Sequence, residues 1–526
     1  MKIDFFILLS LIFGLNGCMT NAHANEPLRW AADSESGAPL IFQDPKNPSQ
    51  LLGFEKEIIE KVAEKLGRPP VFVQNAWDGL VPGLSRGNYD VIINGLEITD
   101  ERKNEIHFSI PYFVTYEQLA VRADEQKLKS LETARGKKVG TLKFSLAHQI
   151  LEKFGGIEVV TYEAETTAYE DLQNKRIDAV LIDAPIAMYY AKPNPKFKLV
   201  GEPIGKVVYG MGVAKKDVAL LAQINQALRE LIASKDLRKI YERYGLWNTV
   251  MAREFRDFDT DALEQPVMYE YFLNATDHER TFKERLELYW SFIPLLAKGA
   301  VTTIEISLVA MIIAILFGLV LALLRLYGPT PVQWATIAYI EIIRGTPLLI
   351  QLFFIFYALP HIGIKLSPFV AAVLGLGMNY AAYEAETYRA GISGVPKSQS
   401  EAGFALGMNR RQTLRFIVVP QAIRIVIPPI TNDFISLLKD SSLVSVITMV
   451  ELTKLYGQLA ATYYDFLGTG ILVALFYLLL GLPFVRLARY VEKRLSLTKP
   501  ASINNGTVSG GKRWGIRFIG NSQFRA

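Results

Sequence analysis

At 526 residues the chain is too long for one hydrophobic core, and its apolar residues, half of the total with a mean hydropathy of +0.19, are concentrated in the second half. The net charge of +5 is modest and the basic residues cluster beside the apolar runs, a pattern of lipid topology that argues against a nucleic-acid partner. The one cysteine, Cys18, excludes an intramolecular disulfide.

Residues 1–17 are a short basic start followed by an apolar run, so residues 1–24 read as an export signal. Leu15-Asn16-Gly17-Cys18 has the form of a lipidation box, Ala22-His23-Ala24 fits ordinary small-x-small cleavage, and an uncleaved anchor is the third option. All three place residue 25 onward outside the cytoplasm. Residues 25–247 then predict a soluble α/β unit. Strand-like runs at 70–74, 89–94, 137–141, 157–162 and 178–183 alternate with helical patterns at 54–66, 146–154 and 218–244. That alternation predicts a mostly parallel sheet, divided between two small lobes with a cleft where strand ends and helix N-termini converge.

Within this unit, Asp90-Val-Ile-Ile-Asn-Gly-Leu-Glu-Ile-Thr-Asp-Glu-Arg-Lys103 gives a buried strand, a glycine turn and Thr99 as a helix cap, with Arg102 in the first turn. A guanidinium there can make a paired, charge-assisted contact with a carboxylate entering the cleft. A zwitterion also needs an anion for its ammonium group, and Asp183 ends the run Ile177-Asp-Ala-Val-Leu-Ile-Asp183 at a strand's carboxyl end.

These residues, with Gly53-Phe54-Glu55, Trp77-Asp-Gly-Leu-Val-Pro-Gly-Leu84, Gly136-Lys-Lys-Val-Gly140, Arg176-Ile-Asp-Ala-Val180 and Gly201-Glu-Pro203, resemble the polar amino-acid solute-binding proteins of ABC transporters over nearly all of residues 28–247. The resemblance implies a bilobed periplasmic-binding-protein fold. It implies that Arg102 clamps the ligand carboxylate, Asp183 receives the α-ammonium and Trp77 stacks on the ligand side chain. Asp33 and Ser145 would stand beside the ligand, and Gly95 would offer backbone groups. Three positions depart from the pattern. The loop Asp33-Ser-Glu-Ser-Gly-Ala-Pro39 lacks a tyrosine before its proline, Phe144 stands where glycine is common, and Glu97 replaces a small hydroxyl residue. A carboxylate at 97 either favours a cationic ligand side chain or pairs with a neighbouring lysine.

Residues 248–290 form a charged, aromatic connector without long periodicity, expected along the outer membrane surface. About five membrane spans follow within residues 291–495, at 299–324, 335–358, 367–388, 424–448 and 467–487. The 389–424 segment is rich in arginine and the tail begins with Arg486, Arg489, Lys493 and Arg494, whereas the 359–366 and 449–466 loops carry only Lys365 and Lys454. The basic segments face the cytoplasm by this rule, which puts the α/β unit outside, in agreement with the signal. Residues 496–526 read as a disordered tail. Its Gly506-Thr-Val-Ser-Gly-Gly-Lys-Arg513 is no phosphate loop, since it lacks the Ser or Thr after the lysine and the flanking strand and helix.

The sharper motif lies in the basic segment between the third and fourth spans: Glu401-Ala402-Gly403-Phe-Ala-Leu-Gly407, nine residues, then Ile417-Val-Val-Pro420. A short helix with small residues seats closely in a partner's groove, Gly407 allows a tight turn, and Pro420 is expected to break the loop before the next span. The string resembles the ATPase-coupling loop of ABC import permeases, with Gly403 in place of alanine and Val419 in place of leucine. Arg344-Gly-Thr-Pro-Leu-Leu-Ile-Gln-Leu352, Gly391-Ile-Ser-Gly-Val-Pro-Lys397 and Phe434-Ile-Ser-Leu-Leu-Lys-Asp-Ser-Ser-Leu-Val-Ser445 extend the likeness to the polar amino-acid permeases over about 285–495. Polar residues in the spans, among them Asn379, Asp433, Lys439 and Asp440, are candidates for a translocation path, with Lys439 and Asp440 alternatively an ion pair.

The reading is therefore an α/β bilobed binding domain followed by an all-α transmembrane permease domain: an amino-acid importer subunit of the bacterial inner membrane, with the binding domain outside. The resemblance implies a separate cytoplasmic ATPase and a second copy of the chain to complete the pathway. The expected ligand is a polar amino acid, with a cationic one favoured if Glu97 faces it. No catalytic dyad, metal site or cofactor is expected in this chain, and its five histidines are scattered. The competing classes are a ligand-gated channel, which has no use for an ATPase seat, and an enzyme using the cleft.

Overall fold

The computed structural model describes residues 26–276 and 281–495. The signal, Cys18 and the tail with its glycine-lysine string lie outside the described residues. The α/β half is two lobes. In the first, strands run in the order Pro70–Gln74, Leu28–Ala32, Val91–Ile92, Gly212–Val213, His107–Phe108. In the second the order is Phe197–Tyr209, Phe113–Arg122, Ala179–Asp183, Lys138–Leu142, Glu158–Tyr162.

Each sheet is mixed rather than mostly parallel. The three strands at one side of each are parallel, as the alternating pattern predicts, and the other pairings are antiparallel. The exception has a topological cause: the chain crosses from lobe to lobe on Phe113–Arg122 and returns on Phe197–Tyr209, and these two long strands pair antiparallel. Helix Phe54–Leu66 shows why the first lobe packs: Phe54, Ile58, Ile59, Val62 and Ala63 recur at helical spacing and are buried, and Gly67 at φ 65° ends the helix. The predicted helix over 218–244 is two, Val218–Ala233 and Asp236–Arg243, broken at Lys235, which adopts φ 61°.

The connector is tied to the α/β half. Helix Val267–Ala275 buries Phe272 against Phe42, Tyr189 and Tyr190, and Arg238 holds Asp257 at 3.0 Å. The aromatic residues that looked aperiodic in sequence are anchors in that lobe's core.

The helical half begins with Phe282–Tyr327, 46 residues and therefore about 70 Å long, opened by a capping box between Thr281 and Glu284. It packs along Pro368–Ser393, where Gly318 lets the backbones meet: a Cβ there would lie 2.7 Å from that of Glu384. Among the described residues three helices are long and apolar enough to cross a membrane, Phe282–Tyr327, Arg410–Ile447 and Phe466–Arg494. A fourth crossing would be the pair Thr330–Gly345 and Leu348–Ala358, bent by 108° at the Thr346-Pro347 junction inside what the sequence predicts as one span. The predicted 367–388 span is a continuous helix but too polar to pass on composition. It lies inside the bundle, with Asn379 and Glu384 buried.

Pro420 does not break the loop. The chain is helical from Arg410 through Ile447, and the turn over Leu414–Val418 is a widened π-turn, which accommodates the proline ring and its missing N–H without ending the helix.

Candidate substrate cleft and its seat on the helical half

Trp77, Gly95, Glu97, Ser145 and Asp183 converge between the lobes, joined by Leu40, Asn94 and Glu165. The cleft is closed to a residual cavity of about 20 Å³, room for a water but not for an amino acid. Three bridges close it on residues 143–146 of the second lobe. Trp77 Nε1 donates to the Lys143 carbonyl at 3.0 Å, Arg102 Nη2 donates to the Phe144 carbonyl at 2.9 Å, and the Leu146 N–H donates to Glu97 Oε1 at 2.9 Å.

Arg102 is placed by Thr99, whose hydroxyl caps its helix by accepting the Arg102 N–H. Its guanidinium also donates to the Glu97 carbonyl at 3.1 Å and to Glu97 Oε2, and it lies 5.2 Å from the Trp77 ring centre. The two residues expected to clamp a carboxylate and to stack on a side chain thus engage each other and Glu97. Of the two sequence alternatives for Glu97, the structure has the pairing, and the partner is Arg102 rather than a lysine. Gly95 adopts φ 59°, which a glycine takes freely, and its N–H donates to Glu55 Oε1 at 2.6 Å. The Ser145 hydroxyl accepts the His148 N–H at 3.2 Å as a helix cap.

Phe144 departs from glycine at a cost: it holds φ 60°, a strained value for an aromatic residue, with its ring exposed and its carbonyl accepting from Arg102. Asp183 accepts from Tyr209. Burial, then the Glu97 carboxylate, pushes its acid up to about 7. Two further carboxyls went unread in the sequence. Glu117 faces Asp183 directly across the strand pair and has no hydrogen-bond partner by distance and angle, while Glu165 opens the helix Glu165–Gln173 beside the cavity. Burial raises both acids well above the ordinary range. Period-two alternation along 113–122 places Glu117 on one sheet face with Leu119 and Val121, and only the register against Asp183 reveals its place.

Asp33 does not line the residual cavity. It sits at the cleft mouth, accepting the Trp77 N–H at 2.9 Å and Gln74 Nε2 at 2.8 Å, and meets Lys454 of the helical half at 3.5 Å. Lys454 also reaches Glu35 at 3.0 Å. Around this cluster the lobes rest on the 359–366 and 449–466 loops. Gln43 Nε2 donates to Gln458 Oε1 at 2.9 Å, the Tyr463 hydroxyl to the Pro45 carbonyl at 3.0 Å, and Lys365 to the Arg86 carbonyl. Between them lies a second cavity of about 540 Å³, bordered by Trp77, Asp33 and Lys143 on one side and by Phe353, Ser445 and Lys454 on the other. Trp77 borders both cavities.

In the helical half, Asn379 donates to Gln351 at 3.0 Å and Asp440 accepts from Tyr380 at 2.7 Å, so Asp440 is engaged with a tyrosine and makes no ion pair with Lys439. Asp433 is half-buried. Asn432, Ser436 and Lys439 are exposed at i, i+4 and i+7 of Val419–Asp440, a polar stripe on one face. Glu384 is buried with neither oxygen partnered. At the arginine-rich end, Glu401 and Ala402 lie exposed on helix Lys397–Ala405, and Gly403 packs on the returning chain, where a Cβ would meet Ile417 at 2.7 Å. Gly407 turns at φ 78°, and Phe404, Leu406 and Phe416 are left exposed, Leu406 to 81%. No group of three or more His, Cys, Asp or Glu placed to hold a metal occurs among the described residues.

Two family sequence models match: bacterial extracellular solute-binding proteins, family 3, over residues 28–246, and binding-protein-dependent transport system inner membrane component over residues 314–497. The helical half is 42% identical over 175 residues to the L-cystine transport system permease protein TcyB of Bacillus subtilis, covering 33% of this chain and 75% of that one. It is 36% identical over 210 residues to the glutamine transport system permease protein GlnP of Escherichia coli, covering 40% of this chain and 96% of that one. The α/β half matches the solved structure of an ancestral arginine-binding protein bound to arginine, at 35% identity and TM-score 0.40, over 42% of this chain and 99% of that one.

Proposed function

Because the chain belongs to the amino-acid ABC transport permeases and carries a family 3 solute-binding domain on the same polypeptide, we propose that it captures its solute outside the cell and passes it directly to its own membrane half. It is a transport subunit rather than an enzyme. The observation that carries the reading is the shared wall at Trp77: the ligand cleft and the chamber above the helical half lie on either side of one side chain. Opening the cleft breaks the Trp77–Lys143 bridge and exposes the site to a chamber that ends on Phe353 and Ser445.

The orientation puts the α/β half on the outer side of the inner membrane. The loops that carry Lys365 and Lys454 hold it, and the arginine-rich segment lies inside. The Asn432, Ser436 and Lys439 stripe is costly against lipid, so it lines a pathway completed by a second copy of the chain. The exposed Phe404, Leu406 and Phe416, with Glu401 and Ala402, seat a cytoplasmic ATPase, whose closure drives the helices. The tether holds the binding domain at an effective concentration of about millimolar.

Reconstitution with the ATPase in liposomes tests this. Uptake of labelled amino acid should require ATP and fall at least tenfold in Gly407→Val, which cannot hold φ 78°, with the ATPase released from the membrane. Uphill uptake by that variant at the normal rate, with the ATPase still bound, would refute the coupling reading.

A further inference from the structure

The guanidinium and the helix N-terminus that would grip a carboxylate in this cleft already hold one. The Arg102 guanidinium donates to Glu97 Oε2 and the Leu146 N–H, in the first turn of helix Leu146–Phe154, donates to Oε1, and the Glu97 side chain is almost wholly buried. A third guanidinium N–H goes to the Phe144 carbonyl, and the face of Arg102 lies over Trp77. A ligand carboxylate would have to evict Glu97 from two charge-assisted bonds and leave it buried without a countercharge. What the cleft has in excess is carboxyl groups: Asp183 and Glu165 line the cavity, Glu117 stands opposite Asp183 across the strand pair, and Arg102 is paired with Glu97. Lys143, which borders the second cavity, pairs with Glu163 at 3.3 Å.

We propose that Glu97 is a resident carboxylate occupying the seat that an amino acid's own carboxylate would fill, so that the cleft selects its solute by positive groups alone. The class is basic amino acids together with the carboxylate-free amines and guanidines built on the same side chains. This rests on the reading that the cleft is the transport site. Burial raises the acids of Asp183, Glu117 and Glu165, and an entering cation supplies the countercharge that favours their ionised forms. An α-carboxylate is tolerated only where it reaches the cleft mouth.

The test is calorimetric titration of the full chain in lipid nanodiscs with arginine and agmatine, lysine and cadaverine, and glutamine and cystine. Each amine should bind at least as tightly as its parent amino acid, and both neutral ligands at least a hundredfold more weakly. In Glu97→Ser, which frees Arg102 and the helix N-terminus, arginine should gain at least tenfold on agmatine. Tenfold or greater preference of the unaltered chain for arginine over agmatine and for lysine over cadaverine would overturn the proposal, as would tightest binding of a neutral ligand. The unaltered chain alone decides this, whether or not the variant folds. If none of the six binds while ATP-driven uptake of another amino acid persists, this inference fails and the importer reading stands; if uptake of every amino acid is also absent, that reading fails with it.

Discussion

Lys454 is the residue whose loss should most directly separate the two halves. Its ammonium lies 3.0 Å from Glu35 and 3.5 Å from Asp33, and its side chain is 6% exposed. Gly457, one turn on, lets the loop helix Leu452–Tyr463 come this close, since a Cβ there would meet Glu35 at 2.4 Å. Burial works against the charged ammonium, but Asp33 and Glu35 more than offset it and hold its acid above the ordinary lysine range, so it stays charged at physiological pH. Lys454→Met leaves two buried carboxylates facing each other. Breaking such a cluster from one side costs about 3–5 kcal/mol, and protonation of Glu35, whose acid burial already raises, relieves part of that. About 3 kcal/mol for the docked arrangement corresponds to roughly a hundredfold. Amide hydrogen exchange should therefore quicken about a hundredfold in the 33–44 and 452–463 segments while the lobe cores are unchanged. Adding Asp33→Asn and Glu35→Gln should restore most of the protection, because the uncompensated charge is gone. Equal exchange in Lys454→Met and the unaltered chain would refute the argument, as would a triple variant as loose as the single one.

Other measurements follow from the same geometry. The Asp183 acid is raised to about 7, so the group is protonated below that value and charged above it. Affinity for a cationic ligand should rise up to tenfold per pH unit from 5.5 to about 7 and then level, read by calorimetry. For the empty protein the sign is opposite. Between about 4 and about 7 the folded state holds a proton on Asp183 that the unfolded chain has lost, so stability should fall as pH rises through that window. Phe144→Gly should raise the stability of the closed cleft by about 1 kcal/mol, seen in thermal unfolding, since glycine holds φ 60° without strain. Gly403→Leu should leave ligand binding unchanged and abolish ATP-driven uptake, because any side chain there pushes the Lys397–Ala405 helix off Ile417.

Much of this was legible in sequence because it is local. The Thr99 cap that sets Arg102, the strand end that carries Asp183 and the Gly407 turn each lie within a few residues of their signals. The mixed sheets were not, since the antiparallel pairing follows from the path of the chain between lobes rather than from any one segment. Nor was the break at 345–347, because the flanking residues are apolar enough to read as one span. The continuous helix through Pro420 was missed for a different reason: a proline signals a stop only if the helix cannot widen, and here it does. In the cleft, Glu97 was visible as an anomaly with two explanations. Five residues separate it from Arg102, but the bond to Leu146 that fixes its role spans 49 positions.

A contact between residues far apart in the chain gives the site its direction. Asp33 joins Trp77 and Lys454, residues 44 and 421 positions away, and Trp77 in turn holds the second lobe at Lys143. A cleft that opens must release the Trp77–Lys143 bridge while Asp33 still fixes the Trp77 backbone to the first lobe and, through Lys454, to the helical half. On this geometry the first lobe is expected to stay seated while the second lobe moves, releasing Tyr464 from Glu170 as it does. The asymmetry follows from where charge is buried: the interlobe bridges on 143–146 include two hydrogen bonds to carbonyls, whereas the first lobe is held by a cation between two carboxylates. The weaker set yields first, and it yields on the side that borders the chamber.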